Sequence, residues 1–409
     1  MYFEFSEDEQ LFREAVREFC KRYIEPIWVD VDESGKLPND LISRMGKQGL
    51  FAIPVSEEFG GVGGTLTMAA IATEEIAYHD PAVAIAVYAL LQNGWPMALD
   101  QFGSDELKSM ILPEVASGDA FFGIASTEPH GGSDVAGIKT FAERVDGGWR
   151  VTGEKVYISG VREVLELPTG GGWFFLAKTG SRDYGHRNIS AFALLPRWKG
   201  EVREGFEPTI FDEIGRGGLS TGGFKLDNFM MDEGWLIGEE GKGFYYVMQG
   251  FNIARILVAA ACIGSGRWAL DQAKEWLINR KLFQGMKLSS FQGINFKYAE
   301  LYTELEAARL FTYRAARLAD KIYIGKKPGL KPQDLNVPVA MAKLKAPETT
   351  IRIYEEVLKW YGAYGYTKES NIYRGWLGTF SYVIGAEGGQ NIMRIIIARD
   401  ILGRENIRA

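Results

Sequence analysis

The chain is poor in cysteine and histidine, and it has no long uninterrupted apolar run. With only Cys20 and Cys262 in 409 residues, a disulfide framework is excluded, and a reduced, cytoplasmic location is expected. His79, His130 and His186 stand at no metal-ligand spacing among themselves or with the cysteines, so no metal is expected and surface or capping roles suffice for them. The longest apolar runs, 82–91 and 256–264, fall short of the roughly 18 to 20 residues a membrane span needs, and they read as buried helices. Near the start, Glu4, Glu7, Asp8 and Glu9 stand where a secretion signal needs positive charge and an apolar stretch. Positive charge is not in excess either: 46 basic against 53 acidic residues leave a net charge of −7, which argues against nucleic acid as a partner. No G-x-G-x-x-G follows a strand and no P-loop occurs. The glycines Gly60, Gly61, Gly63 and Gly64 have neither spacing, so a Rossmann or nucleoside-triphosphatase reading fails.

What is present is an ordinary globular composition, 46% hydrophobic and 24% charged. At this length a prior of about 150 residues per domain gives two or three packed units, and roughly three-quarters of the unfolded surface can be buried. Ser6 with Glu9 forms a capping box ahead of an apolar stripe of Leu11, Phe12, Ala15, Val16, Phe19 and Cys20. Helical periodicity continues to about Gly118. The pattern then turns extended, with runs at 149–158, 173–178, 189–195 and 223–231 and an Asp146-Gly147 hairpin signal. After Gly241 helical periodicity returns to about Asp320, and it resumes beyond the loop Gly325-Lys-Lys-Pro-Gly-Leu-Lys-Pro332. The order is α, β, α, with expected units at 1–120, 121–240 and 241–409.

Two local strings stand out. Ser126-Thr-Glu-Pro-His-Gly-Gly-Ser-Asp134 opens the β block; its hydroxyls and backbone N–H groups suit a heterocycle or a phosphate, and equally a plain turn. Ala386-Glu-Gly-Gly-Gln-Asn-Ile-Met-Arg394 sets one carboxylate before two glycines and a helix at 392–402, which fits a positioned acid or base, and equally a partner for the helix dipole.

Together with Gly238-Glu-Glu-Gly-Lys-Gly-Phe244, Arg280-Lys-Leu-Phe283 and Tyr361-Gly-Ala-Tyr-Gly-Tyr366, these strings follow one another as in the acyl-CoA dehydrogenase family, which the chain resembles over essentially its whole length. The resemblance implies an α+β fold with an N-terminal helical domain, a middle β-barrel or sandwich-like domain and a C-terminal four-helix bundle. It implies an FAD oxidoreductase acting on CH–CH donors, which removes a proton from Cα and a hydride from Cβ of an acyl-CoA thioester. A Cα proton beside a thioester is weakly acidic, so such a site must polarise the carbonyl and seat a base against Cα, with flavin N5 on the other face.

By the same matching Glu387 is the base, because Ala254, where some relatives carry theirs, cannot accept a proton. Ser126 and Thr127 are implied along the isoalloxazine edge, with Gly132 and Ser133 at the pyrophosphate and CoA end. Tyr157 and Ser159 match an aromatic-x-Ser/Thr pair over the ring, and Gly389 and Asn391 fall in the flavin-side stretch after the base. Arg280, Phe283 and Gln292 match residues that reach the FAD of a neighbouring subunit, and Gly362 an approach to its adenine half. A homo-oligomer, usually a tetramer, follows from that sharing. Ser133, Asn252, Arg255, Ala386 and Gly388 are implied on the substrate side, with Arg255 and Asn252 facing the CoA end. An electron-transferring flavoprotein is the implied electron acceptor.

The chain departs from the family pattern at several points. Tyr157 replaces a tryptophan, about six extra residues fall in 161–172, Ala386, Gly389 and Lys359 stand where the family has other residues, and Arg374-Gly375 stands for an Arg-Asp pair. Ala386 in place of a tyrosine implies room for an acyl group that is branched or alicyclic near the thioester, unless Trp376, Phe380 or Tyr382 fills the gap. Two other readings use the same fold. One is an acyl-CoA oxidase or flavin monooxygenase; the other is a non-catalytic or nucleic-acid-associated flavoprotein such as the alkylation-damage-response member, whose longer chain has a basic C-terminal addition not seen here.

Overall fold

A computed structural model describes residues 4–180 and 182–407, with backbone alone for 182–184. The first helices are α1 (Glu7–Tyr23), α2 (Trp28–Ser34), α3 (Asn39–Lys47), α4 (Leu66–His79), α5 (Ala84–Phe102) and α6 (Asp105–Ser117). Ser6 caps α1 through the expected box: its Oγ accepts from the Glu9 N–H, and the Glu9 carboxylate accepts from the Ser6 N–H. α5 contains the apolar run from position 84 to 91 and is buried from Ala84 to Leu99.

Among the described residues eight strands follow, with one α-helix among them: β1 (Ala120–Ala125), β2 (Phe141–Val145), β3 (Gly148–Ser159), α7 (Val161–Glu166), β4 (Gly170–Lys178), β5 (Ile189–Trp198), β6 (Phe206–Ile210), β7 (Thr221–Asp232) and β8 (Leu236–Ile237). They form one mixed sheet in the order β6-β7-β3-β2-β4-β5-β8, with β1 parallel to β4. The Asp146-Gly147 turn joins β2 to β3, where Val145 pairs with Gly148. The extra residues after Ser159 are not a loose insertion. They form α7, whose buried Glu163 accepts from the backbone N–H and hydroxyl of Ser220, while Ser220 Oγ accepts from the Arg162 N–H.

The chain returns to helices with α8 (Gly243–Asn279), α9 (Gln292–Ala319), α10 (Asn336–Tyr361), α11 (Ile372–Ile384) and α12 (Gln390–Leu402). Helical periodicity across 241–320 thus hides a break, the loop between α8 and α9 that begins at Arg280. α8 is 37 residues long and apolar enough, by length and composition, to cross a membrane, but 89% of its most apolar window is buried within the fold. α10 packs on α8, α9, α11 and α12. Gly375 of α11 is required by a close approach, since a Cβ there would stand 2.0 Å from Tyr354 Oη. Its neighbour Arg374 is buried and ion-pairs Asp32 at 2.6 Å as well as Glu33.

The N-terminal helices are locked to the C-terminal ones by a buried ionic cluster. Glu74 and Glu75 of α4, about 1% exposed, meet Arg13 and Arg17 of α1, Arg267 of α8 and Arg309 of α9. Tyr313 donates to Glu74 at 2.7 Å. Burial alone would raise the Glu75 carboxyl, but the Arg17 hydrogen bond and the charges of Arg267 and Arg13 outweigh it and hold the group at about 2. A carboxyl depressed from 4.5 to about 2 contributes stability that is present above pH 4.5 and lost as pH falls toward 2, of order 3 kcal/mol. Thermal melts of the wild type are therefore expected to drop steeply between pH 4.5 and 2. Glu75→Gln should melt lower at pH 7, by about 3 to 5 kcal/mol of stability, with a shallower acid slope. A variant with the wild-type acid slope would place the pH dependence elsewhere.

Candidate active site

Strand ends of the sheet, α5, α8 and the turn between α11 and α12 enclose a cleft of about 1250 Å³, larger than the roughly 300 to 1,000 Å³ of ordinary ligand pockets. Ser126 and Thr127 line it, with Gly132, Ser133, Tyr157 and Ser159 on the sheet side. Asn252, Arg255, Ala386, Glu387, Gly388 and Gly389 line the helical side. Of the residues expected at the site, these twelve converge on one cavity.

The Ser126 string is held by a buried ion pair. Glu128 (3% exposed) accepts from Lys155 Nζ at 2.8 Å and from the backbone N–H groups of Lys139 and Thr140, and Lys155 is fully buried in β3. Reciprocal backbone bonds between Glu128 and Gly131 close the turn, and a Cβ on Gly131 would meet open space. On β3 a register shift between Val156 and Ile158 turns Tyr157 outward. Its φ is +57°, it is 73% exposed, and its ring lies 5.7 Å from Phe211.

Glu387 also has a left-handed backbone, with φ +55°, followed by Gly388 at +102°. A non-glycine residue held there costs of order 1 to 3 kcal/mol, strain of a kind that gathers at functional sites. Arg255 of α8 holds this turn from one side: its Nε donates to the Glu387 carbonyl at 2.9 Å and its Nη1 to Asn252 Oδ1 at 3.2 Å. Asn252 in turn donates to Asn336 at 2.8 Å. The Arg255 guanidinium thus bonds the glutamate's own peptide while also lining the cleft. Burial pushes the Glu387 carboxyl above its ordinary value, against the opposing charges of Lys343, Arg255 and Arg216. The indole N–H of Trp95 is buried without closing a full hydrogen bond, yet it stands near enough to the carboxylate to favour its charged form.

Three contributors carry no sequence motif: Lys343, Trp95 and Arg216. Arg216 lines the cleft, is 8% exposed and has φ +52°; it donates to Thr221 at 3.0 Å, and its Nε is buried without a partner. The available signal for Lys343 was a lysine on the apolar stripe that Val339, Ala340 and Ala346 make along α10.

Among the three aromatic residues named for the gap at Ala386, Tyr382 lines the cleft, 1% exposed, while Trp376 and Phe380 stack on each other at 5.9 Å. Val87, Leu90, Leu91, Phe251 and Val258 make the apolar end of the cleft.

The remaining expected residues stand outside it. Arg280 caps the C-terminus of α8 with its guanidinium 5.7 Å from the Trp276 ring, Phe283 is 76% exposed, and Gln292 opens α9 on the surface. Gly362, with φ +62°, and Asn391 are also exposed. Of the histidines, His79 is buried rather than on the surface, and its Nδ1 lies 2.9 Å from the Glu75 carbonyl in the last turn of α4. His130 pairs with the Gly137 carbonyl and His186 with Tyr245 Oη. Both cysteines are free and buried.

The cleft combines hydroxyls, a guanidinium with one buried N–H unused and an enclosed carboxyl in a helix-sheet-helix chain, donor and acceptor groups that suit a heterocyclic cofactor beside a carbon acid. The N-terminal, middle and C-terminal acyl-CoA dehydrogenase domain models match residues 6–119, 123–229 and 241–402, and the chain belongs to the acyl-CoA dehydrogenase family. It is 31% identical to an acyl-CoA dehydrogenase of Bacillus subtilis (strain 168) over 97% of this chain and 99% of that one. The solved structure of glutaryl-coenzyme A dehydrogenase with glutaryl-CoA is similar at TM-score 0.87 and 29% identity, covering 98% of this chain and 97% of that one. A structure reported for the electron transferring flavoprotein of Acidaminococcus fermentans gives TM-score 0.88 at 27% identity, over 98% and 100% of the chains. The protein is an oxidoreductase and its cofactor is FAD. The residues present fit that group: Ser126, Thr127 and Ser159 offer hydroxyls along one wall, and Arg216 leaves a buried N–H unused.

Proposed function

We propose that the protein converts an acyl-CoA thioester to its 2-enoyl-CoA with Glu387 as the base that takes the Cα proton. The observation that carries this reading is the enclosed Glu387 carboxyl, on a left-handed turn, in the same cleft as Ser126, Thr127 and Ser159. When bound, FAD supplies the two-electron acceptor for the hydrogen that leaves Cβ. The chain's own residues do the rest. Burial raises the affinity of Glu387 for a proton toward working pH, and Arg255 fixes the peptide from which the carboxylate projects. Val87, Leu90, Leu91, Phe251 and Val258 exclude water from the acyl end.

The likeness to the Acidaminococcus fermentans structure supports an electron-transferring flavoprotein as acceptor. The exposed positions of Arg280, Phe283 and Gln292, away from this chain's own cleft, support an assembly, a tetramer in our reading, in which each copy completes its neighbour's FAD site. Glu387→Gln keeps the shape of the side chain without its basicity. It should retain FAD and still perturb the flavin spectrum on adding acyl-CoA, while anaerobic flavin bleaching slows by about 10²- to 10⁴-fold. Bleaching at the wild-type rate would move the base to another residue.

The acyl group is proposed to be bulky near the thioester, branched or alicyclic, because Ala386 leaves the space beside the base without a large side chain. Tyr382, four residues earlier, lines the same cleft and takes part of that volume. Across a panel of straight, branched, alicyclic and dicarboxylic acyl-CoAs, Ala386→Tyr should lower kcat/KM at least about tenfold more for branched and alicyclic substrates than for straight ones. Equal losses would show that position 386 does not select the acyl group.

A further inference from the structure

The turn that carries Glu387 runs from the end of α11 to the start of α12, and a lysine from another helix bonds both of its sides. Lys343, near the middle third of α10, is fully buried. Its Nζ donates at 2.6 Å to the carbonyl of Tyr382 and at 2.6 Å to the carbonyl of Gly388. Among the described residues no carboxylate lies within ion-pair distance of it. Burying a lysine without a counter-ion costs several kcal/mol, and an apolar residue would continue the stripe of Val339, Ala340 and Ala346 at no such cost. What the lysine provides instead is two charge-assisted bonds, one before Glu387 in the chain and one after it. The Tyr382 carbonyl belongs to the last turn of α11, where helix carbonyls lack intrahelical partners.

We propose that Lys343 is a positioning residue for the base, pinning the Glu387 turn at Tyr382 and Gly388 so that the carboxylate meets Cα at one fixed place. Arg255 holds the Glu387 carbonyl between those two points, so the strained backbone is fastened at three successive places by two buried cations. Gly388 suits its place because its conformation, φ +102°, is one that other residues rarely adopt. This inference rests on Glu387 being the base.

The lysine also faces the carboxylate electrically. Charged groups act on Glu387 from every side: Lys343 from α10, Arg255 from α8 and Arg216 from the loop between β6 and β7. Lys343 in turn faces Cys262 and Arg255 of α8, Glu348 of α10 and Glu387 itself, and burial brings its ammonium down to about 8. Removing the lysine charge removes the strongest attraction that favours the Glu387 carboxylate, so the base should hold its proton to higher pH.

The test compares wild type, Lys343→Met, Lys343→Gln and Glu387→Gln as FAD-loaded proteins, with an acyl-CoA from the panel that bleaches the wild-type flavin. Lys343→Met is expected to keep FAD content and KM within about twofold. Its kcat should fall about 10- to 100-fold, as misplacement of a catalytic group by an ångström does, and the acid limb of its kcat profile should move up by about one pH unit. Lys343→Gln, which keeps N–H donors without charge, should recover part of kcat with the limb still displaced; it carries the same comparison if the methionine variant does not load FAD. An inactive Glu387→Gln beside a lysine variant with wild-type kcat and acid limb would overturn the positioning role while leaving the base intact. An active Glu387→Gln would overturn the base assignment and this inference with it.

Discussion

Arg255 and Lys343 each bond a backbone carbonyl of the turn that presents Glu387, and that turn holds a non-glycine residue in a left-handed conformation. A flexible glutamate in water would be both too acidic and too mobile to take a proton from carbon. Placing it in an enclosed cleft raises its basicity, but it also removes the water that would steady the backbone around it. The two cations resolve that conflict, because they satisfy the carbonyls of the strained turn while their charge limits how far the carboxyl rises.

The rest of the fold keeps those cations in place. Arg255 is on α8 and Lys343 on α10, the two long helices that pack most closely in the C-terminal half, and Asn252 ties Arg255 to Asn336 at the start of α10. α5 lines the cleft with the apolar side chains of Val87, Leu90 and Leu91, and α4 beside it is anchored through Glu74 and Glu75 to α1, α8 and α9. On the opposite wall the sheet presents Ser126 and Thr127 on a turn fastened by Glu128 and Lys155. Both walls are thus held by buried charged groups: Arg255, Lys343 and Glu128 bond backbone, while Glu74 and Glu75 bond side chains of other helices. α7 adds a third brace, since Glu163 holds Ser220 beside the strand end that carries Thr221.

What was legible in the sequence was what local chemistry writes there. The capping box at Ser6, the hairpin at Asp146-Gly147 and the extended runs at 149–158 and 173–178 recur in the structure because each depends on neighbours a few residues away. The resemblance carried the reading of Glu387, Ser126, Thr127 and Ser159, which the fold brings to one cleft. Less was visible where the partner is remote. The loop at Arg280 interrupts a helical pattern whose apolar positions continue on both sides, and periodicity alone does not register the break. The bonds that Arg255 and Lys343 make to the Glu387 turn were not visible, because the carbonyls they reach lie 132 and 45 positions away along the chain. His79 likewise turned out buried through packing that its immediate neighbours do not announce.

The account stands or falls on Glu387 acting as an enclosed base. The direct measurement is exchange of the Cα proton of a bound acyl-CoA with deuterated solvent, followed against pH in the anaerobically reduced enzyme, where no net oxidation occurs. The account predicts exchange in the wild type with an acid limb above the ordinary carboxyl value of 4.5, and its loss in Glu387→Gln. Exchange that persists in that variant, or that titrates at 4.5, would contradict it.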